Sequence, residues 1–412
     1  MDSTKASETL RVLVIGGGSA GLLMGHVFKR AGIEAAVFEQ DQSPTARQRD
    51  WNFGIYWAQS RIEECLASEL YAQINQTQTD RAYRHFEGSV LPVYNGQTGE
   101  LLKDLPAPHA IRLRRRSWLD LIRTGVDIRY GKRLVSIATT EQGVTATFED
   151  GTTEEGSLLI GCEGAHSVAR NFLFQMTPNE AELLELPISA FVTITNFSRD
   201  LALALRKVHP TYVITVDPTG LFFFCSAHNC DSEDSAEWTF MFVITWKTKD
   251  GENRTALSQD NNLLLDTMLS HSQHLAYPFK DALHAIPRNT KCWHTRMSYW
   301  PTKPWDNRGG RVTLAGDAAH PMTFHRGQGL GNAITDVAEL QIHLRAMKAH
   351  TREELAKAIG KYEQEVWTRG LAAVMENAEN TVAVHDWEKV TQSPLVVKGL
   401  KKVADKPNGD EA

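Results

Sequence analysis

Gly16-Gly17-Gly18-Ser19-Ala20-Gly21 fits G-x-G-x-x-G directly after an apolar run, Arg11 to Ile15, and at the head of an amphipathic stretch, Ala20 to Ala31. In that position the pattern has a mechanism. Gly16 permits a tight turn, Gly18 lets the backbone approach a pyrophosphate, and Gly21 lets helix and strand pack closely, while free N–H groups at the helix start face the anion. Glu39 closes the next apolar run, where a carboxylate accepts hydrogen bonds from a ribose diol and favours an unphosphorylated ribose. Ser19, Ala20 and Gln40 belong to the same expected dinucleotide site. The fingerprint alone leaves FAD and NAD both open.

A second group of residues lies far along the chain. Asp317 follows the short apolar run Arg311 to Ala315, where its carboxylate can bind a polyol hydroxyl; capping the next turn is the plainer role. Gly327, Gln328, Gly329 and Leu330 then lead into a helical pattern reaching about Met347. The N–H groups and positive dipole end at such a start stabilise negative charge.

These residues need elements to hold them. The pattern from Arg11 to Gln40 reads strand, turn, helix, strand, a parallel βαβ unit. From about Phe172 to Trp300 the texture is alternating and aromatic, as expected of antiparallel strands with one buried face. The chain then returns to a short buried strand and two helical stretches. The expected fold class is α/β, a Rossmann-type domain with an inserted, mostly antiparallel β-sheet substrate domain and C-terminal helices. The expected divisions are 10–84, 111–171 and 301–345 for the nucleotide-binding parts, 85–110 and 172–300 for the substrate domain, 346–398 for the helices, and 399–412 for a flexible tail.

Composition excludes several classes. A length of 412 residues allows about two or three domains. With 44 basic against 50 acidic residues the net charge is −6, the wrong sign for a nucleic-acid binder. Five cysteines without a CxxC pair suggest neither a disulfide framework nor a zinc site, so no metal is expected and a reducing compartment fits. No apolar run is long enough to span a bilayer, and Met1 to Thr9 lacks the features of a signal peptide, so the protein is expected to be soluble and cytoplasmic.

Three further segments carry a family resemblance. Gly316-Asp317-Ala318-Ala319-His320-Pro321, followed by Gly327-Gln328-Gly329, resembles the GD motif of single-component FAD-dependent aromatic hydroxylases, the class that includes salicylate and 4-hydroxybenzoate hydroxylases. Glu163 to Arg170 resembles their DGxxSxxR segment, and Arg116-Ser117-Trp118-Leu119 their R-x-x-L helix start. In texture the chain is similar to fungal members of secondary metabolism. The resemblance implies FAD as cofactor, with Asp317 beside the ribityl chain and the amides near Gly327, Gly329 and Leu330 facing the flavin ring. It implies Arg116, Arg49, Arg47 and Gly54 near the phosphates or ribose. It also implies NAD(P)H as reductant, O₂ as co-substrate and oxygen transfer through a flavin 4a-hydroperoxide to an aromatic or polyketide-like small molecule, by hydroxylation or epoxidation.

The sequence departs from the family pattern at Glu163, where Asp is usual, at Gly331, where Asn is usual and Asn332 is the candidate replacement cap, and at Phe324 and His325 on the substrate edge of the loop. Tyr212, His228 and His325 have the chemistry of a general base that ionises a phenol, though none has a motif behind it. Tyr212, Phe222, Phe224, Trp238, Phe240 and Trp246 are candidate pocket walls, of which alternation turns about half inward. Arg206, Arg296 and Arg326 are candidate carboxylate or phosphate binders, and His320 is read as structural. Two rival readings remain at this level: a dehydrogenase or oxidase of the same fold, and a non-catalytic NAD(H) sensor.

Overall fold

The computed structural model describes residues 9–84, 86–108, 110–249 and 251–400, so the polar ends expected to fray fall almost wholly outside it. Arg11–Ile15 is the central strand of a five-stranded parallel sheet with the order Val312–Leu314, Leu158–Gly161, Arg11–Ile15, Glu34–Phe38, Ile128–Arg129. Helices cover this sheet, which is why its strands read as apolar runs rather than alternating ones. Gly16 turns the chain with φ 107°. A Cβ on Gly21 would lie 1.9 Å from the Gly16 carbonyl oxygen, so only glycine lets the helix Ser19–Arg30 start this close to its strand.

Three regions of sequence meet at the C-terminal end of this sheet. Pairing of Val312–Leu314 beside Leu158–Gly161 brings Asp317 and Glu163 to the Gly16–Gly18 turn, the crevice where open parallel sheets bind ligands. A buried ion system holds it. Asp336 accepts hydrogen bonds from the Gly316 N–H (2.6 Å) and Arg369 Nη2 (2.6 Å), and pairs with His320 Nε2 (2.7 Å). His320 is therefore tied to Asp336 of the helix Gly329–Arg345, and Asp336 in turn to Arg369 of the long helix Arg352–Val384.

A seven-stranded sheet faces that crevice, in the order Cys292–Tyr299, Leu184–Asn196, Thr239–Lys247, Phe222–Asn229, Tyr212–Val216, Val90–Asn95, Leu101–Pro106. All its pairs are antiparallel except Tyr212–Val216 with Val90–Asn95. Alternation divides its side chains. Phe240, Phe242, Ile244 and Trp246 pack in one core with residues of the helices Asn261–His271 and Phe279–His284, whereas Met241 and Val243 face the crevice. Between the sheets runs a two-stranded ribbon, Asn52–Ile55 with Ile111–Arg114, in a register that sets Gly54 opposite Arg112.

Gly399 and Leu400, expected to begin a flexible tail, are instead tied down. Arg326 Nη2 donates to the Gly399 carbonyl (2.9 Å) and Gln328 Nε2 to the Leu400 carbonyl (3.1 Å). Leu400 is apolar and buries with Val384, Val390 and Leu395, an attraction that the polar residues around it hide in the sequence.

Candidate active site

A cavity of about 980 Å³ separates the parallel sheet from the seven-stranded one. Gly16, Gly18, Ser19, Ala20, Glu39 and Gln40 line one end of it, while Gly21 lies behind as the spacer already described. Gly18 is the N-cap of its helix without a capping side chain, and a Cβ there would meet nothing within 4 Å. The first helical amides are thus open to a phosphate. Glu39 accepts from the Gly17 N–H (2.7 Å) and the Asp41 N–H (2.8 Å), which fixes the carboxylate and leaves lone pairs for a diol.

Arg49 and Gly54 also line the cavity, but Arg116 does not; its neighbour Arg115 does. The Arg116 guanidinium reaches outward to the Arg47 carbonyl (3.5 Å). Trp118 takes the buried place three residues after Arg115 and donates Nε1–H to Ser19 Oγ (2.9 Å). Of the Arg116-x-x-Leu119 start, Leu119 lines the cavity but the guanidinium that does so is that of Arg115, since one residue on a helix turns a side chain by about 100°. Arg115→Ala is expected to weaken FAD binding about ten-fold and Arg116→Ala to change it less than about two-fold, read by fluorescence titration of apoprotein.

Asp317, Gly327, Gly329 and Leu330 line the middle of the cavity. Asp317 lies deep in the protein, yet its side chain stands open to the cavity and accepts no hydrogen bond from the described residues. Burial pushes its carboxyl above the usual range. The helix Gly329–Arg345 likewise has no side-chain cap at Gln328. An unpartnered deep carboxylate and two open helix starts along one cavity fit the ribityl hydroxyls, ring and pyrophosphate of FAD.

The segment Glu163 to Arg170 supports this turn from behind. Glu163 Oε1 accepts from the Ala169 N–H (2.8 Å), so the added methylene still reaches the backbone. Arg170 Nη1 donates to the carbonyl of Ala318 (3.1 Å), next to Asp317. Asn332 does not cap the helix Gly329–Arg345; its Nδ2 donates to the Gln328 carbonyl (3.0 Å) and its Oδ1 accepts from Arg369 (2.9 Å). Position 331 has no room for asparagine, because a Cβ there would lie 2.7 Å from the Trp57 indole, which donates to Gln328 Oε1 (2.7 Å).

The far end is apolar, with Val192, Ile214, Phe222, Phe224, Met241 and Val243. Of the aromatic wall candidates, Phe222 and Phe224 are there; Tyr212, Trp238, Phe240 and Trp246 are not. One cation enters this end. Arg112 is 3% exposed, donates Nε–H to Asn52 Oδ1 (2.6 Å) and lies over the Phe224 ring at 4.6 Å. Burial lowers its pKa, and no carboxylate pairs with it among the described residues. Arg206, Arg296 and Arg326 are bound instead to Asp80, Thr255 and Glu376.

Two of the three base candidates stand off the cavity. His228 sits behind Asn52, with Nδ1 3.2 Å from Asn52 Nδ2 and Nε2 3.5 Å from Asp50. Tyr212 stacks on His209 and meets Tyr56 edge-on, and burial raises its phenol well above the ordinary value. Both are on cavity-facing strands, but Asn52 and Tyr56 from the ribbon segment are interposed. His325 does line the cavity. Burial, then His385, holds its pKa well below the usual value, and both ring nitrogens already have hydroxyl partners, Thr381 and Thr245.

The FAD binding domain family matches residues 118–377. The chain is 43% identical over 398 residues to the FAD-dependent monooxygenase cctM of Talaromyces islandicus, covering 96% of this chain and 98% of that protein. It belongs to the FAD-dependent monooxygenases. A second relative of the monooxygenase, phnB of Penicillium herquei, is 32% identical over 402 residues, with 96% of each chain covered. Among solved structures, Klebsiella pneumoniae HpxO complexed with FAD and uric acid superposes with a TM-score of 0.74 at 19% identity, covering 95% of this chain and 92% of that one. The 2,6-dihydroxypyridine-3-hydroxylase of Arthrobacter nicotinovorans gives 0.72 at 18%, covering 98% and 96%. At those identities the likeness shows the fold, an FAD-binding domain with a β-sheet domain set against it.

Sequence reading missed Tyr56, Asn52, Arg112 and Arg115 in the monooxygenase. A Cβ on Gly327 would lie 2.9 Å from the Tyr56 ring, and one on Gly54 2.6 Å from its hydroxyl, so these glycines make room for Tyr56 as much as for a cofactor. The signal for Arg112 was present, an arginine between two apolar residues of a strand, but the adjacent run Arg114 to Arg116 masked it. Among the described residues no helix of the monooxygenase is long and apolar enough to cross a membrane.

Proposed function

We propose that the enzyme takes reducing equivalents from NAD(P)H and inserts one atom of O₂, by hydroxylation or epoxidation, into an aromatic or polyketide-like small molecule that presents an acidic hydroxyl or other anionic oxygen. The carrying observation is Arg112, a buried guanidinium without a carboxylate partner at the apolar end of the cavity. Such a charge is costly to keep unless a ligand brings its counter-ion. FAD, when bound, supplies the two-electron redox chemistry and the activation of oxygen. Asp317 and Glu39 would hold its hydroxyls, the helix starts at Gly18 and Gly329 its phosphate and ring, and Arg115 and Arg49 its charge. The apolar far wall excludes water, which favours oxygen transfer over loss as peroxide.

Two observations support the substrate class. HpxO was solved with uric acid, and the Arthrobacter enzyme is a dihydroxypyridine hydroxylase, so both neighbours handle flat oxygen-bearing rings. A single G-x-G-x-x-G makes the nicotinamide a transient visitor rather than a resident with its own domain. Five buried free cysteines accord with our placement of the protein in the reducing cytoplasm. The test is a panel of phenolic and polyketide-like compounds with NADH or NADPH under ¹⁸O₂. A product heavier by one labelled oxygen is expected. Substrate-dependent NAD(P)H oxidation that ends wholly in H₂O₂ or in a dehydrogenated product would replace this reading with the oxidase or dehydrogenase one.

A further inference from the structure

A buried polar chain runs through the cavity wall beside its apolar end. Thr323 Oγ1 contacts the Asn377 carbonyl (2.9 Å) and Thr381 Oγ1 (2.7 Å), and Thr381 Oγ1 contacts His325 Nδ1 (2.8 Å). His325 Nε2 contacts Thr245 Oγ1 (3.0 Å), which also contacts His385 Nε2 (2.8 Å). His385 Nδ1 ends the chain on the Thr381 carbonyl (2.6 Å). None of these five side chains is more than 4% exposed, and Thr323 and His325 line the cavity.

The chain has six links, and both ends are carbonyls, which only accept. Three hydroxyls and two neutral imidazoles supply five protons. However the hydroxyls and tautomers are turned, one link sets lone pair against lone pair. A sixth proton completes it: His325 then donates from Nδ1 to Thr381 and from Nε2 to Thr245, Thr381 donates to Thr323, and Thr245 donates to His385.

We propose that this chain is a one-proton acceptor in the wall of the substrate cavity, filled when a hydroxyl of the bound substrate ionises in the field of Arg112. The substrate O–H bond breaks, its electron pair stays on the oxygen, and the proton ends on an imidazole nitrogen of the chain, so the charge of the whole site is unchanged. The inference rests on the proposed substrate class. His325 borders the cavity, while Thr245 and His385 are positioning residues that act through it.

The surroundings explain why an anion must arrive with the proton. Burial pushes both imidazoles down, His385 to about 4. Lys247 opposes a further positive charge on His385, and Asp386, beside it, is engaged with Lys389. The other nearby charges are the Arg326–Glu376 pair, with Lys398 also on Glu376, and Arg112. In the empty cavity the chain is left one proton short; a substrate oxyanion supplies the compensating charge.

The test uses the FAD-loaded enzyme with ¹⁵N-labelled histidine, followed by NMR across pH with and without the phenolic substrate, His325→Gln and His385→Gln serving for assignment. Thr245→Val keeps the shape but removes one proton and two links, so the remaining chain is satisfied by neutral imidazoles. In the native enzyme and Thr245→Ser, a single proton is expected to enter the pair, and substrate raises its affinity. Thr245→Val is expected to lower that affinity at least ten-fold, moving the step down by about one pH unit or more. The acid limb of kcat/KM, which reports the unprotonated chain of the free enzyme, should move down by about as much in Thr245→Val and stay in place in Thr245→Ser. Equal midpoints in all three proteins, two independent histidine titrations, or no doubly protonated ring above about pH 5 in any state would overturn the proposal. Failure of every phenolic compound to be oxygenated would instead count against the function, since the NMR comparison without substrate still reports on the chain.

Discussion

Asp317→Ala is expected to give a folded protein that purifies largely without flavin. The carboxylate stands deep in the cavity with no protein hydrogen bond, so its contribution appears only when polyol hydroxyls meet it. Hydrogen bonds to a charged group contribute about 1.5–3 kcal/mol, so FAD should bind about 10- to 100-fold more weakly. The apoprotein should respond in the opposite direction. Burial raises the folded-state pKa of Asp317 above its unfolded value, so the native apoprotein loses stability as pH rises out of the carboxylate range through that raised value. Asp317→Ala removes this loss. Its apoprotein should melt at or above the native temperature near neutral pH and match it in acid, where the carboxyl is protonated in both states. Unchanged FAD affinity with a lowered apoprotein melting temperature would identify Asp317 as a turn cap instead.

Arg112→Met is expected to keep the flavin and lose the substrate. Methionine fills much of the volume against Phe224, and Asn52 Oδ1 still accepts from Ser226 Oγ (3.0 Å), so the ribbon keeps its support. Removing one partner of a buried charge pair costs about 2–5 kcal/mol, which corresponds to a fall of at least about 30-fold in kcat/KM toward the substrate that brings the anion. NAD(P)H oxidation that remains should yield a larger share of peroxide, because a loosely held substrate leaves the site open to water. Arg112→Lys should recover only part of the activity, since an ammonium lacks the planar fork that also binds Asn52. A native kcat/KM in Arg112→Met would remove the anionic-substrate reading.

The glycine-rich turn and the cavity end it lines were legible because they are local. Gly16, Gly18, Gly21 and Glu39 act within one strand, turn and helix, and the spacing alone states the geometry. The expected α/β class with an antiparallel insertion follows from period and texture in the same way, and the parallel and seven-stranded sheets match it. The cavity lining departs from the sequence reading where rotation or distance decides. Arg114, Arg115 and Arg116 have the same chemistry, and only the helix phase set by buried Trp118 turns Arg115 inward. Tyr212 and His228 lie on cavity-facing strands, yet a ribbon more than a hundred residues away in sequence covers them.

The amino-acid order thus carried the expectation of a bound dinucleotide and of the residues that would anchor it, since neighbouring residues build such a site through backbone amides. Tertiary structure alone decided what surrounds the apolar end of the cavity. Arg112, Tyr56 and the His325–Thr245–His385 chain come from separate elements, and their contacts exist only because two sheets and a long helix close around one cavity. Burial there, rather than residue type, decides which arginine has no carboxylate partner and which histidines are held well below their usual pKa.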